Sequence, residues 1–402
     1  MRYISNDDFI KKHITKRVQS YFSDDLNKNK ERISDKIRNK KVLVIGGAGT
    51  IGSSYVKALL PFRPSHLTVF DYNENSLTEL TRDLRSHLNE FIPKSFSLYP
   101  IDFGSSIFHK YFERNSFDIV ASFAAHKHVR SEKDTYSIEA MFRNNVVNTK
   151  NLLDLCIKNS PEHLFCVSTD KAANPVNLMG ATKKLMEHVI FSYSDQLKIS
   201  TARFANVAFS NGSLLDGFLY RMQKRQPIVA PRDVRRYFVS PQESGQLCLL
   251  ASVLGDSADV FFPKMKESMM TTFNQIATDF LNHLGYEPRL CETEEEARER
   301  MKTFKENSVE YPVLFFDSDT SGEKPFEEFF TASDKVDLQS YKSLGVIKNM
   351  VIQKRDISSM IHEFGKLFAQ ENLTKSQIVD LFSRHIEDLN HLETGKSLDS
   401  KM

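Results

Sequence analysis

A strand-forming run, Lys41 to Ile45, ends abruptly in Gly46-Gly47-Ala48-Gly49-Thr50-Ile51-Gly52, and a helical pattern opens near Gly52 and runs to Leu60. Glycines at three-residue spacing between a strand and a helix let the backbone turn tightly and approach an anionic group, which the helix N-terminus then favours. The next apolar run, Leu67 to Phe70, closes on Asp71, roughly 20 residues beyond the glycines, where a carboxylate meets ribose hydroxyls. A chain built this way starts with a βαβ unit, and few other folds accommodate it.

The same alternation continues. Helical spacing over Asn75 to Glu90, strand runs at Ser97–Ile101 and Ile119–Phe123, a helix about Ser137 to Asn159 and a strand at His163–Ser168 predict an α/β protein with a doubly wound parallel sheet. Ligands of such sheets sit at the carboxyl ends of the strands. On this reading Gly46, Gly49, Thr50, Ile51, Gly52 and Asp71 hold a dinucleotide. Asp71 would repel a 2′-phosphate, so the expected cofactor is NAD rather than NADP. Asp102, after the third strand, suits either the adenine amino group or a local turn with Gly104 and Ser105.

Four units are expected: an N-terminal helical extension over 1–40, with a helix from Asp24 to Lys40; a cofactor domain over 41–206; a smaller substrate-binding lobe over 207–350 whose last strands return to the sheet; and a helical extension over 351–402. In the last, Ile378, Leu381, Phe382, Ile386 and Leu389 recur at helical spacing, a stripe that caps the domain or pairs two subunits.

With 54 Lys+Arg against 52 Asp+Glu, the chain shows no nucleic-acid footprint, and a membrane-surface patch is equally unsupported. Its four cysteines form no CxxC or Cys/His cluster, so neither a metal site nor a disulfide framework is expected. The polar stretch from Met1 to Lys40 is unlike a signal peptide, and no window approaches the ~20 apolar residues that span a bilayer. The expectation is a cytoplasmic protein without membrane insertion.

The most specific segment runs from Ser168 to Lys183. It holds Thr169-Asp170-Lys171, then Asn174-Pro175-Val176-Asn177, then Met179 four residues before Lys183. With the glycine loop, Phe123-Ala124-Ala125-His126-Lys127-His128-Val129, Arg203-Phe204-Ala205-Asn206-Val207, Arg236-Tyr237-Phe238 and Gly322-Glu323-Lys324-Pro325-Phe326-Glu327-Glu328, it resembles the extended short-chain dehydrogenase/reductases. More narrowly, the chain resembles the CapD-like nucleotide-sugar 4,6-dehydratases, in a branch with methionine where tyrosine is usual. The resemblance covers about Lys41 to Phe330.

That resemblance implies a Rossmann-type fold, an oligomer, NAD held also by Ala124, Ala125 and Lys183, and a nucleotide-diphosphate sugar held by Lys127, His128, Asn206, Arg236, Glu323 and Lys324. It implies a hydro-lyase acting on UDP-N-acetylglucosamine for bacterial surface polysaccharide, with a GDP-sugar as the alternative nucleotide. Hydride leaves sugar carbon 4, water is lost across carbons 5 and 6, and hydride returns to carbon 6. Asp170 would be the acid for the departing hydroxyl and Lys171 the base for the carbon 5 proton. Those roles require burial and neighbouring charges to bring both groups towards neutrality.

Met179 has no proton to give. The 4-hydroxyl proton is therefore expected to pass through Thr169, a water near Lys183, or Asp170, while Met179 packs on the sugar or nicotinamide. Thr320-Ser321-Gly322-Glu323-Lys324 lacks the arginine that relatives carry, and Arg232 or Arg235 is a substitute. A nucleotide-sugar 4-epimerase and a non-catalytic NAD-binding scaffold are the competing readings; neither gives the Asp170-Lys171 doublet a task.

Overall fold

The computed structural model describes residues 6–86, 91–305, 307–318, 324, 326–350, 356–391 and 393. Its centre is a nine-stranded sheet. Strands β1 (Lys41–Ile45), β2 (His66–Asp71), β3 (Ser95–Pro100), β4 (Ile119–Ser122), β5 (His163–Val167) and β6 (Ile199–Ala202) run parallel in the order β3-β2-β1-β4-β5-β6. Val44 lies level with Val69 on one side and Ala121 on the other. Asp259–Pro263 continues the parallel run beside β6, and Leu344–Ile347 and Val336–Asp337 close the edge antiparallel.

Every residue of β4 and β5 is buried, as is all of β1 after Lys41, because helices cover both faces of the sheet. Strand order reverses around β1, between β2 and β4, and this creates the crevice where ligands of doubly wound sheets bind. The fold is the α/β Rossmann type that the alternation predicts.

A second, smaller core surrounds a three-stranded parallel sheet, Glu287–Cys291, Glu310–Phe316 and Ile228–Pro231. Phe218, Phe280 and Tyr311 fill it, and so do Phe9, Ile10 and Ile14 from the N-terminus. Residues before Lys41 therefore serve two cores, since Phe22, Ile33 and Ile37 belong to the main one. Arg17 joins them, donating from Nε and Nη2 to Glu243 at 3.0 and 2.8 Å. In place of one helix from Asp24 to Lys40 there are two, Ser23–Lys28 and Lys30–Ile37, separated at Asn29.

The expected helix over 137–159 is also divided. Thr135–Phe142 and Asn148–Asn159 flank a π-turn at Arg143–Val147, and such turns gather at functional sites. The C-terminal helices Ile357–Phe368 and Lys375–His385 fold back onto the main core. Phe364 stacks on Phe142 at 4.3 Å and meets Phe382 edge-on at 4.7 Å. The stripe of Ile378, Leu381, Phe382 and Ile386 is buried within its own chain, so it caps the domain and is not a subunit-pairing surface.

Candidate active site

A cleft of about 660 Å³ lies at the carboxyl ends of β1, β2 and β4, within the size range of cofactor sites. Gly46, Gly49, Thr50, Ile51 and Gly52 form one wall, Asp71 and Asp102 another, and Ala124 to His128 the third. Gly46 has φ of +71°, and a Cβ there would stand 2.6 Å from Ala124 N. A Cβ on Gly52 would lie 2.2 Å from Gly46 O. A side chain at either position would collide with the chain's own backbone, so the glycines let the turn close tightly against the residues after β4 and against the helix start, with Gly49 and Thr50 lining the cleft, and the residues present fit a dinucleotide.

Asp71 is held in place by the backbone around it. Its Oδ2 accepts from Ala48 N and its Oδ1 from Asn73 N, both at 3.0 Å, which fixes the carboxylate at the rim. Asp102 also lines the cleft, but its Oδ1 accepts from Gly104 N at 2.8 Å, the local turn that was one of its two expected roles.

Lys127 and His128 reach into the same space. Both side chains stay exposed to solvent, yet the protein around them desolvates them enough to lower the proton affinity of each, and the charges of Lys127 and Arg130 depress His128 further. Gly212 packs against the His128 ring, and Asn211 N donates to Thr50 Oγ1 at 3.0 Å, so the loop after Ser210 closes over the glycine turn. The sequence reading assigned nothing to Asn211 and Gly212.

It also missed Asn145. This fully buried side chain on the π-turn accepts from His126 N at 2.8 Å and donates to His126 O at 3.0 Å, clamping the loop after β4. The same amide donates to Thr182 Oγ1 at 3.1 Å, tying that loop to the helix that carries Met179 and Lys183. Arg143, Asn144 and Asn148 are polar neighbours of Asn145, so nothing in the local sequence marked it as the buried one.

The Thr169-Asp170-Lys171 triplet follows β5 as a tight turn beginning a 3-10 helix at Asp170. Thr169 Oγ1 donates to Asp170 Oδ1 at 2.9 Å, and Lys171 Nζ donates to the same oxygen at 3.1 Å. A second carboxylate comes from the closing lobe: Glu327 Oε1 lies 3.6 Å from Lys171 Nζ and 3.8 Å from Arg236 Nη2. Burial pulls the proton affinity of Lys171 down, but Asp170 and Glu327 outweigh it and the net displacement is upward. The expectation that burial and neighbouring charges together bring Lys171 towards neutrality is thus corrected: burial acts that way, but the two carboxylates outweigh it and favour the charged form.

The remaining predicted residues do not all meet at the triplet. Arg236 and Lys324 converge on the triplet, with Arg236 Nη1 donating to Lys324 O at 2.8 Å and Lys324 Nζ standing 4.0 Å from Glu327. Asn206 sits on the short strand Asn206–Val207, its N–H bonded to Tyr237 O at 3.0 Å. Glu323 lies outside the described residues. Arg232 pairs with Asp317 through two 2.7 Å hydrogen bonds, and Arg235 with Glu267, so both proposed substitutes are engaged elsewhere.

Met179 and Lys183 are more deeply placed than expected. Met179 is 2% exposed and belongs to the apolar core. Lys183 Nζ donates to Val167 O at 2.8 Å, and burial lowers its pKa to about 8. Behind it, Glu187 takes two hydrogen bonds from Arg203, at 3.0 and 2.7 Å, and one from Ser168 Oγ at 2.5 Å. Among the described residues, Glu132, His391 and Glu393 alone cluster as metal ligands would, and the Lys375 ammonium already lies 3.3 Å from Glu132 and 2.6 Å from Glu393.

A doubly wound sheet with a tight glycine turn and an acid closing β2 defines a Rossmann-type domain. The chain belongs to the polysaccharide biosynthesis protein family, whose pattern matches residues 42–349. It is 32% identical over 268 residues to an uncharacterized membrane protein of Methanocaldococcus jannaschii, covering 64% of this chain and 76% of that one. It is 27% identical over 352 residues to the capsular polysaccharide biosynthesis protein CapD of Staphylococcus aureus, covering 85% of this chain but only 54% of CapD.

The inverting UDP-N-acetylglucosamine 4,6-dehydratase of Campylobacter jejuni is 26% identical over 61% of this chain and 72% of its own length. Two solved structures share the fold: Pen from Bacillus thuringiensis, with TM-score 0.63, 20% identity and coverage of 88% and 99%, and the dTDP-glucose 4,6-dehydratase DesIV from Streptomyces venezuelae with NAD bound, with TM-score 0.53, 18% identity and coverage of 72% and 87%. Among the described residues no helix is long and apolar enough to cross a membrane.

Proposed function

We propose that the chain is an NAD-dependent nucleotide-sugar 4,6-dehydratase, converting UDP-N-acetylglucosamine to a UDP-4-keto-6-deoxy-hexosamine for surface polysaccharide synthesis. The observation that carries this reading is the Asp170-Lys171 pair, a buried carboxylate joined to a half-buried ammonium by a 3.1 Å hydrogen bond at the end of β5, the second strand over from the one that opens the glycine turn. The relatives named for this reaction and for capsular polysaccharide support it. The cofactor reading rests on the cradle around Gly46 and on Asp71, whose carboxylate favours NAD over NADP.

NAD, when bound, supplies reversible hydride acceptance. The chain's own groups manage the protons. Thr169 Oγ1 already donates to Asp170 Oδ1, so a 4-hydroxyl proton handed to Thr169 continues to Asp170 without needing Met179. Alternatively, with the 4-hydroxyl proton passed to a water near Lys183 instead, one proton moving from Lys171 Nζ to Asp170 Oδ1 would create both required forms at once, a neutral amine to take the carbon 5 proton and a carboxylic acid to protonate the departing 6-hydroxyl. We assign Arg236 and Lys324, which lie together beside the triplet, to the diphosphate's charge.

Purified protein incubated with UDP- and GDP-N-acetylglucosamine, followed by mass analysis, tests the proposal. Loss of one water from the UDP-sugar is expected. An isobaric product with inverted carbon 4 would instead identify an epimerase, and tight NAD binding with no change in either sugar would identify a scaffold.

A further inference from the structure

Glu327 is 6% exposed, and its neighbours fix it from both sides. Glu328 accepts from Asn174 Nδ2 at 2.8 Å, while Phe329 O accepts from Arg203 Nη1 at 2.8 Å and its ring lies 5.6 Å from Tyr237. The carboxylate so held faces Lys171 and Asp170 from the β5 turn, Arg236 from the short strand Arg235–Arg236, and Lys324 from its own segment. Its position is over-determined by contacts to three other parts of the chain. Nothing in its local sequence requires a buried acid there, and an acid costs free energy to bury unless it is paired.

We propose that Glu327 is a positioning residue for the Asp170-Lys171 pair: it shares the Lys171 ammonium with Asp170 and sets how readily that ammonium gives up its proton. The catalytic consequence rests on the dehydratase reading, whereas the effect on Lys171 does not. Lys171 Nζ is bracketed by Asp170 Oδ1 at 3.1 Å and Glu327 Oε1 at 3.6 Å, and Arg236 is the opposing charge. Removing the negative charge of Glu327 leaves Asp170 as the single carboxylate on the ammonium, so Lys171 becomes neutral at lower pH.

Competitive acetylation of the full chain across pH, read by mass spectrometry at Lys171, tests this without requiring turnover. In Glu327→Gln the labelled fraction at a pH below the wild-type midpoint should rise roughly tenfold, because an opposite charge within ~4–6 Å is worth a unit or more. Glu327→Asp, which keeps the charge, should return the profile towards wild type, and this separates a charge effect from loosened packing. With substrate, the ascending limb of the rate-pH profile of Glu327→Gln should move to lower pH in the same direction. An unchanged Lys171 labelling profile in Glu327→Gln, or a Glu327→Asp profile matching Glu327→Gln, would overturn the proposal; loss of activity on all sugars with the labelling shift intact would overturn only the dehydratase reading.

Discussion

Replacing Arg203 by methionine probes the ion pair behind the active site. Arg203 and Glu187 are each 2% exposed, joined by hydrogen bonds of 3.0 and 2.7 Å. Methionine fills much of the volume but strands Glu187 with only Ser168 as donor. Each hydrogen bond to a charged group contributes about 1.5–3 kcal/mol, and breaking one side of a buried pair costs about 3–5 kcal/mol, a large part of the ~5–15 kcal/mol that keeps a protein folded. Arg203→Met should therefore lower unfolding free energy by about 3–5 kcal/mol in urea at pH 8.

The pH dependence gives the sign. In the wild type burial alone would raise the proton affinity of Glu187, but Arg203 and Ser168 outweigh it and the net displacement is downward. That contribution is present above the carboxylate's unfolded pKa and is lost as pH falls through the lower folded value. Without Arg203 burial wins, the folded affinity rises, and the variant gains stability relative to wild type as pH falls from 8 towards 5. Glu187→Gln combined with Arg203→Met should recover part of the loss, because no charge is left unpaired. A single variant within about 1 kcal/mol of wild type, or a double variant as unstable as the sum of both singles, would refute the reasoning.

Two further outcomes are expected. Met179→Leu, a volume-conserving change in the core, should cost under about 1.5 kcal/mol and keep turnover within a few-fold, measured by water loss from the nucleotide sugar. Lys183 has its folded pKa lowered to about 8 from 10.5, so the unfolded chain binds the extra proton between those values and wild-type stability rises with pH in that window. Against Lys183→Met in urea titrations at pH 8 and 10.5, the wild type should gain on the order of 3 kcal/mol.

Short-range chemistry was legible from residues alone. The strand at Lys41–Ile45, the glycine turn, Asp71 and the Thr169-Asp170-Lys171 turn are read from neighbours in the chain, and the structure puts each at the end of a strand of one sheet. The break at Arg143–Val147 was not legible, because helical periodicity is blind to a single widened turn. Nor was the use of Phe9 and Ile14 in the smaller core, since an apolar residue near a terminus does not say which surface it will meet.

By itself the sequence determined that strands and helices would alternate around a phosphate-binding turn, because hydrophobic period and glycine geometry act over a few residues. Only the tertiary structure decided the electrostatics of the site. Glu327 stands 156 positions beyond Lys171, Arg236 lies between them in the chain, and their charges matter only once folding removes water and brings them within 4 Å. Spacing reveals which acid and base are adjacent; packing reveals that a second acid shares the base.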